Sequence, residues 1–428
     1  MKVERLTIAG DPAGAARRTR ALQPSPASVE PVVRDIIAAV RAGGDGAVRE
    51  LTARLDTGGA EPPPLRVSEA ELAGALAALD PAVRAGLDTA VTNVALVADA
   101  GSVEDREVRL PQGHTVTLRE VPVRRAAVYV PGGRAPLPST VVMGVVTARA
   151  AGVEEVAVCS QPGHRGNAHP VILAACALVG ATEVYRMGGA QAVAALALGT
   201  ETVPRVDVMA GPGTLYVQEA KRQLGGEVGI DLFAGPSDLL VVCDGEADPH
   251  LLALDLLAQA EHGEGALVAA ACDDDALLDL LEAELAAEAA RHPDAVLAPC
   301  VLAEAGSLLE ALAFAEQVAP EHLQLAGAGA EALAGRVRAA GCVLVGQASG
   351  TAFSDYLAGS NAILPSAGAA RFASGLGPRA FRRRVSEVRI GDAAGALAPA
   401  GAAVARAEGF ELHAASMEAR IGEDGGRR

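Results

Sequence analysis

From Ala126 onward the chain repeats one pattern: a short apolar run, a glycine turn, then a helical stretch. Ala126-Ala127-Val128-Tyr129-Val130 runs into Pro131-Gly132-Gly133. Val156-Ala157-Val158-Cys159 repeats the idea, Val184-Tyr185-Arg186-Met187 runs into Gly188-Gly189, and Val206-Asp207-Val208-Met209 precedes Gly211-Pro212-Gly213. Apolar runs this short, bounded by turn residues, read as strands covered on both faces. Strand, glycine turn and helix in repetition constrain the fold to a doubly wound parallel sheet. A second series, 239–243, 266–272 and 342–345, is separated by helical stretches such as 250–261 and 275–291. Two α/β units are therefore predicted.

Upstream, residues 28–100 carry apolar residues at three-to-four spacing in the segments 32–41, 46–55, 68–78 and 81–99, with breaks at Gly58-Gly59 and Pro62-Pro63-Pro64. Residues 108–123 alternate like a strand pair around Gln112-Gly113. After about Gly377 no sheet pattern is visible, and the tail reads as an appendage. Its basic group, Arg379, Arg382, Arg383, Arg384 and Arg389, reads as a solvated helix face, with contact to an acidic surface of a second subunit as the alternative.

The 428 residues allow two or three domains, and with half of them apolar a large core is available. A formal charge of −17 argues against nucleic acid or an anionic membrane surface as a partner. No apolar run is long enough to predict a membrane span. The start, Met1-Lys2-Val3-Glu4-Arg5, lacks the apolar core of a signal peptide, so a cytoplasmic location is expected. None of the six cysteines forms a C-x-x-C pair, and Cys159, Cys243, Cys272 and Cys342 fall in or beside apolar runs. They read as small core residues rather than as a disulfide framework or a thiolate site.

The polar residues of interest fall in two short motifs. Residues 251–261 read as one helix closed by Gly263, with Gln259 and His262 three apart near its end. Such a pair can give two ligands to one metal, and a polar helix end reaching water is the plainer alternative. In Ala319-Pro320-Glu321-His322-Leu323, Pro320 fits the first turn of a helix. That placement predicts an ionised Glu321 and a neutral His322, two bases side by side. A capping carboxylate and a surface imidazole are the plainer alternative. Asp355 and His413 add a further carboxylate and imidazole. No G-x-G-x-x-G is present, since Gly211-Pro212-Gly213 is followed by Thr214-Leu215-Tyr216, so the regular dinucleotide fingerprint is not supported.

Taken in order, Tyr129-Val130-Pro131-Gly132-Gly133, Gly188-Gly189-Ala190-Gln191-Ala192, Gly211-Pro212-Gly213, Ala234-Gly235-Pro236-Ser237, Ala258-Gln259-Ala260-Glu261-His262 and Pro320-Glu321-His322-Leu323 resemble the histidinol dehydrogenase family, and the likeness continues from Ser360-Asn361 to Gly375-Leu376. It spans roughly residues 25–415. The resemblance implies two incomplete Rossmann-like domains, each a doubly wound parallel sheet, with small N- and C-terminal helical tails. It divides the chain into an arm (1–21), a zinc and substrate domain in two segments (22–127 and 238–376), an NAD domain (128–237) and a C-terminal tail (377–428). It implies an enzyme that oxidises L-histidinol through L-histidinal to L-histidine with two NAD, at the end of histidine biosynthesis. One Zn²⁺ per subunit would be held by Gln259, His262 and Asp355, with His413 from the other subunit of a homodimer. Glu321 and His322 would be the proton-transferring pair. Ser237 and Glu408 match substrate-holding positions, alongside the zinc ligands and His322. Tyr129, Gln191 and Thr214 match positions that contact NAD.

Two positions depart from the family pattern. Thr214 stands where most members have Asn, and Ala362, in Asn361-Ala362-Ile363-Leu364-Pro365, stands where most have His. The second keeps a paralogous zinc- and NAD-dependent dehydrogenase of another polar alcohol, such as a sulfonated diol, as the alternative. A zinc hydrolase without NAD and a catalytically silent binding protein are the remaining ones.

Overall fold

In a computed structural model the described residues are 1–421 except 24, 25, 134, 164, 165, 233, 234 and 264, with residues 26 and 27 described by their backbone alone. Ala234 of the Ala-Gly-Pro-Ser motif and residues 422–428 of the tail thus lie outside the described residues. The strands are β1 (Val3–Thr7), β2 (Arg106–Arg109), β3 (Thr115–Pro122), β4 (Arg125–Val130), β5 (Glu155–Ser160), β6 (Glu183–Arg186), β7 (Val208–Ala210), β8 (Gly229–Ile230), β9 (Asp238–Cys243), β10 (Leu267–Cys272), β11 (Cys300–Glu304), β12 (His322–Ala326), β13 (Cys342–Val345) and β14 (Arg382–Arg389). They fall into two compact units, one of Met1–Gly101 with Val123–Phe381, the other of Ser102–Pro122 with Arg382–Arg428.

The larger unit holds two parallel sheets, ordered β6-β5-β4-β7-β8 and β1-β11-β10-β9-β12-β13. Leaving out β1, both have the order 3-2-1-4-5, which reverses beside the first strand of the series. The period of two along a strand divides each sheet's residues between two cores. Leu239, Val241 and Cys243 enter one core and Leu240 and Val242 the other. Likewise Ala126, Val128 and Val130 face away from Ala127 and Tyr129. Both sheets are therefore covered on both faces, and the α/β prediction holds.

The helices of residues 30–100 clothe the five-stranded sheet. Val33, Ile36, Val40, Val48 and Leu51 of the Glu30–Leu55 helix join one of its cores. Leu72 of the Glu69–Ala77 helix and Leu87, Ala90 and Val94 of the Pro81–Ala100 helix join the other. Ile363 and Leu376, from the segment 238–376, join the same core as Leu87 and Val94. The expected arm 1–21 supplies β1, an edge strand parallel to β11, and the Pro12–Arg20 helix, which packs on the Leu308–Val318 helix.

In the smaller unit β2 and β3 form the expected pair, but β14 joins them along eight residues of register. The expectation of a tail without sheet is thereby corrected, and so is the helix-face reading of its arginines. β14 is an edge strand of mostly exposed residues, so its charges face water and hide its β pattern. Arg384 Nε donates to Glu120 Oε1 at 2.6 Å and Arg382 to the Glu120 carbonyl at 2.7 Å. Two helices, Ala394–Ala407 and Glu411–Glu418, complete this unit. All six cysteines are free, and no helix among the described residues is long and apolar enough to cross a membrane.

Candidate active site

A helix that follows a parallel strand runs back along the sheet, so its C-terminal end returns to the edge where the strands begin. The Pro249–Ala260 helix follows β9 and brings Gln259 to that edge of the six-stranded sheet. His262 lies just past the helix, where Gly263 takes φ +114° before the chain enters β10. The Thr351–Tyr356 helix follows β13, carries Asp355 and packs on the Pro249–Ala260 helix. Ser237 immediately precedes β9, Glu321 precedes β12, and His322 opens β12. Ser237, Gln259, His262, Glu321, His322 and Asp355 are thus delivered to one edge by strand starts and helix ends.

The contacts there are specific. His262 Nδ1 lies 3.2 Å from Ser237 Oγ. His322 Nε2 lies 3.4 Å from Asp355 Oδ1, and its Nδ1 lies 4.0 Å from Glu321 Oε2. Glu321 Oε2 accepts the Asp238 N–H at 2.9 Å, and Asp238 Oδ1 accepts the Glu321 N–H in return. Asp238 is fixed in turn by Arg20 Nη1 at 2.5 Å, while Arg20 also donates to the carbonyls of Val318 and Ala319. Gln259 Nε2 and His322 Nδ1 are buried without a hydrogen-bond partner, and His322 Nε2 has only the long ion-pair contact with Asp355. Buried polar atoms are rarely left so, and here they cluster at one edge.

The sequence reading of Pro320 as a helix start is corrected. Ala319, at φ +48°, ends the Leu308–Val318 helix, and the chain passes through Pro320 into a buried central strand. The predicted protonation states reverse with it. Burial pushes the Glu321 carboxyl up to about 8, His322 opposes the shift, and Asp238 and Asp355 reinforce it. Burial works against a charge on His322, but Asp355 and Glu321 outweigh it and hold its pKa up at about 9. Two buried groups thus hold their protons near the neutral range, as acid–base chemistry requires.

The C-terminal edge of the five-stranded sheet gathers the other predicted residues. Tyr129 in β4 accepts the Gly189 N–H on its hydroxyl at 3.0 Å. Gln191, on the Gly189–Leu198 helix after β6, is buried, with its Oε1 unpartnered. Thr214 is the N-cap residue of the Leu215–Leu224 helix, with no side-chain cap bond. The preceding glycine loop is pinned from below: buried Lys221 donates to the Gly211 carbonyl at 2.6 Å and to Asp231 at 2.8 Å, and Asp231 accepts the Gly211 N–H. A Cβ on Gly211 would fall 2.2 Å from the Tyr129 carbonyl oxygen, so only glycine permits this approach.

Sequence reasoning missed Asp238 and Asp56. Asp56 caps the end of the Glu30–Leu55 helix and accepts from Gln161 Nε2 at 2.8 Å and Gln191 Nε2 at 3.1 Å. Neither acid stands in a motif, and only the strand register and the helix packing reveal them. Glu408 and His413 belong to the smaller unit, where the His413 ring lies 5.2 Å from that of Phe410. Among the described residues, the one trio of His, Cys, Asp or Glu with mutually close ligand atoms is His250, Glu284 and Glu288. It links two neighbouring helices, and Glu288 also pairs with Arg291, so an ion-pair network accounts for it. Ala362 packs, partly buried, against the apolar core beneath the five-stranded sheet.

The model of the family described as histidinol dehydrogenase matches residues 19–421. Histidinol dehydrogenase of Rhodospirillum rubrum is 42% identical over 407 residues, covering 92% of each chain. That of Xanthomonas euvesicatoria is 40% identical over 421 residues, covering 96% of this chain and 97% of the relative. The crystal structure of histidinol dehydrogenase from Elizabethkingia anophelis superposes with a TM-score of 0.88 at 28% identity, covering 98% of each chain. With two Rossmann-like sheets and a proton-holding pair at the edge of one of them, the chain belongs to the histidinol dehydrogenase family.

Proposed function

We propose that this enzyme oxidises L-histidinol through L-histidinal to L-histidine, consuming two NAD, as the closing reactions of histidine biosynthesis. The observation that carries this reading is the buried Glu321–His322 pair with the half-buried Asp355 against it, set at the sheet edge that also bears Gln259 and His262. The donors there are an amide, imidazoles and a carboxylate, with no thiolate. That set, with buried polar atoms unpartnered beside it, fits a zinc ion in an open site. Gln259, His262 and Asp355 would hold it, with His413 of the partner subunit. When bound, zinc anchors the substrate's amine and imidazole, and NAD accepts a hydride in each oxidation.

In its neutral form, favoured as pH rises toward about 9, His322 takes the alcohol proton in the first oxidation, with Asp355 beside it to stabilise the imidazolium. Glu321, once ionised as pH rises through about 8, takes a proton from the water that hydrates the aldehyde. A carboxyl held near 8 by burial is a stronger base than an ordinary glutamate. Ser237, held beside His262, lies where substrate would be gripped. Tyr129, Gln191 and Thr214 line the NAD site, and the active form is a homodimer whose sites are completed by the neighbouring subunit. Six free cysteines, five of them buried, suit a reducing cytoplasm.

The test is NADH formation with L-histidinol against a panel of polar alcohols, sulfonated diols included. Two NADH per histidinol with zinc present is the expected result. Turnover confined to another alcohol would overturn the substrate, and no NADH from any of them would overturn the dehydrogenase reading.

A further inference from the structure

We infer that Asp56, clamped by Gln161 and Gln191, is the group that accepts the ribose hydroxyls of NAD and turns NADP away. The inference rests on the cofactor reading above and adds a specificity-determining residue to it. In a sheet of order 3-2-1-4-5, a dinucleotide lies across the carboxyl ends of the first strands, and an acidic residue after the second strand binds the ribose. Here β4 is the first strand and β5 the second. β5 ends at Ser160 and is followed by Gln161, both uncharged. The acid comes instead from outside the sheet, from the end of the Glu30–Leu55 helix.

The arrangement is built rather than incidental. A helix C-terminus is an unfavourable place for a carboxylate, yet each Asp56 oxygen receives one glutamine N–H. A Cβ on Gly133 would fall 2.8 Å from Gln161 Oε1, and one on Gly189 would fall 2.8 Å from Gln191 Oε1, so glycines make room for both amides. Gln191 is 1% exposed and its Oε1 has no partner, and neither has buried Ser160 Oγ. A brace between helix and sheet would need no such unpartnered atoms. Each carboxylate oxygen has a second lone pair free to accept a hydroxyl. A 2′-phosphate in the same place would set negative charge against negative charge. Burial pushes the Asp56 carboxyl up to about 6, so it is ionised at pH 8.

The test is fluorescence titration of NADH and NADPH onto the zinc-loaded enzyme at pH 8, with unfolding temperature measured in parallel. Wild type should bind NADH far better than NADPH. Asp56→Asn should weaken NADH by about tenfold, as expected for a hydrogen bond to a charged group, and should weaken NADPH less or strengthen it. Asp56→Glu, which keeps the charge but displaces it, should weaken NADH and still exclude NADPH. An unchanged NADH-to-NADPH ratio in a folded Asp56→Asn overturns the inference while leaving the cofactor reading intact. If Asp56→Asn fails to fold, NADPH bound by Asp56→Glu as well as NADH overturns it. Wild type that binds neither dinucleotide overturns the cofactor reading and this inference with it.

Discussion

Asp238 and Glu321 each accept the other's backbone N–H on a side-chain oxygen, across the starts of two neighbouring parallel strands. The exchange aims the Glu321 carboxyl by means of the backbone, the stiffest support the fold can offer. Arg20 completes it by neutralising Asp238, which is 1% exposed, and by gathering the carbonyls that end the preceding helix.

Removing Asp238 should therefore be costly. Asp238→Ala leaves Arg20 facing a buried cavity and frees Glu321. A loss of about 3–5 kcal/mol is expected from breaking a buried pair. Asp238→Asn, which keeps the acceptor for the Glu321 N–H, should lose less. Urea unfolding of the three proteins measures this, and an Asp238→Ala loss below about 1 kcal/mol, the range of an exposed pair, would contradict it.

Glu321 also predicts a pH dependence of stability. Its folded pKa of about 8 stands above the ordinary 4.5, so the folded chain holds this proton more tightly than the unfolded one. The resulting stabilisation is complete below about 4.5 and is lost as pH rises through about 8. Glu321→Gln cannot ionise, so the zinc-free variant should lose less stability between pH 6 and 9 than zinc-free wild type. Parallel stability curves would show that Glu321 does not titrate in that range. In the zinc-loaded enzyme, Glu321→Gln should slow aldehyde oxidation more than alcohol oxidation. His322→Ala should slow the alcohol step by roughly 10²- to 10⁴-fold, the usual contribution of a general base.

His262→Ala should remove bound zinc and activity together. Metal content by elemental analysis after dialysis is the measurement. A variant that keeps its full zinc would sink the ligand assignment, whatever its activity.

Much of this was legible in the chain and some of it was not. The two sheets could be read because buried parallel strands are uninterrupted apolar runs. β12 could not, because Gln324 breaks its run and Pro320 imitates a helix start. β14 was hidden by its arginines, which an edge strand tolerates. Gln259, His262, Glu321 and His322 stood in recognisable motifs. Asp238 and Asp56 did not, since their significance comes from residues 83 and 105 positions away in sequence. Burial at a strand start, not a helix dipole, sets the protonation states, and a motif alone does not reveal that burial.

Ala362 marks where this chain leaves the family pattern. Beside it, Asn361 is pinned by donating to the Met143 carbonyl and Thr147 Oγ1, both at 3.0 Å, so the backbone is already held. Ala362→His should raise kcat/KM for L-histidinol by about tenfold if it restores one substrate hydrogen bond. Loss of activity on histidinol and on every other alcohol would mean that the position has been repacked.

His413 and Glu408 lie about ninety residues beyond the Glu321–His322 pair. They sit on the closing helices of the smaller unit, an appendage with its own three-stranded sheet. If each active site takes His413 of the partner subunit, two inactive variants should rescue one another. His413→Ala and Glu321→Gln, unfolded together and refolded as a mixture, would form mixed dimers in about half of all pairings. In each mixed dimer one of the two sites has both residues intact, so roughly a quarter of wild-type activity should return. If every site is built within a single chain, each keeps one defect and nothing returns. A mixture whose reassortment is verified with a mass-tagged subunit, yet which stays inactive, would rule the shared site out.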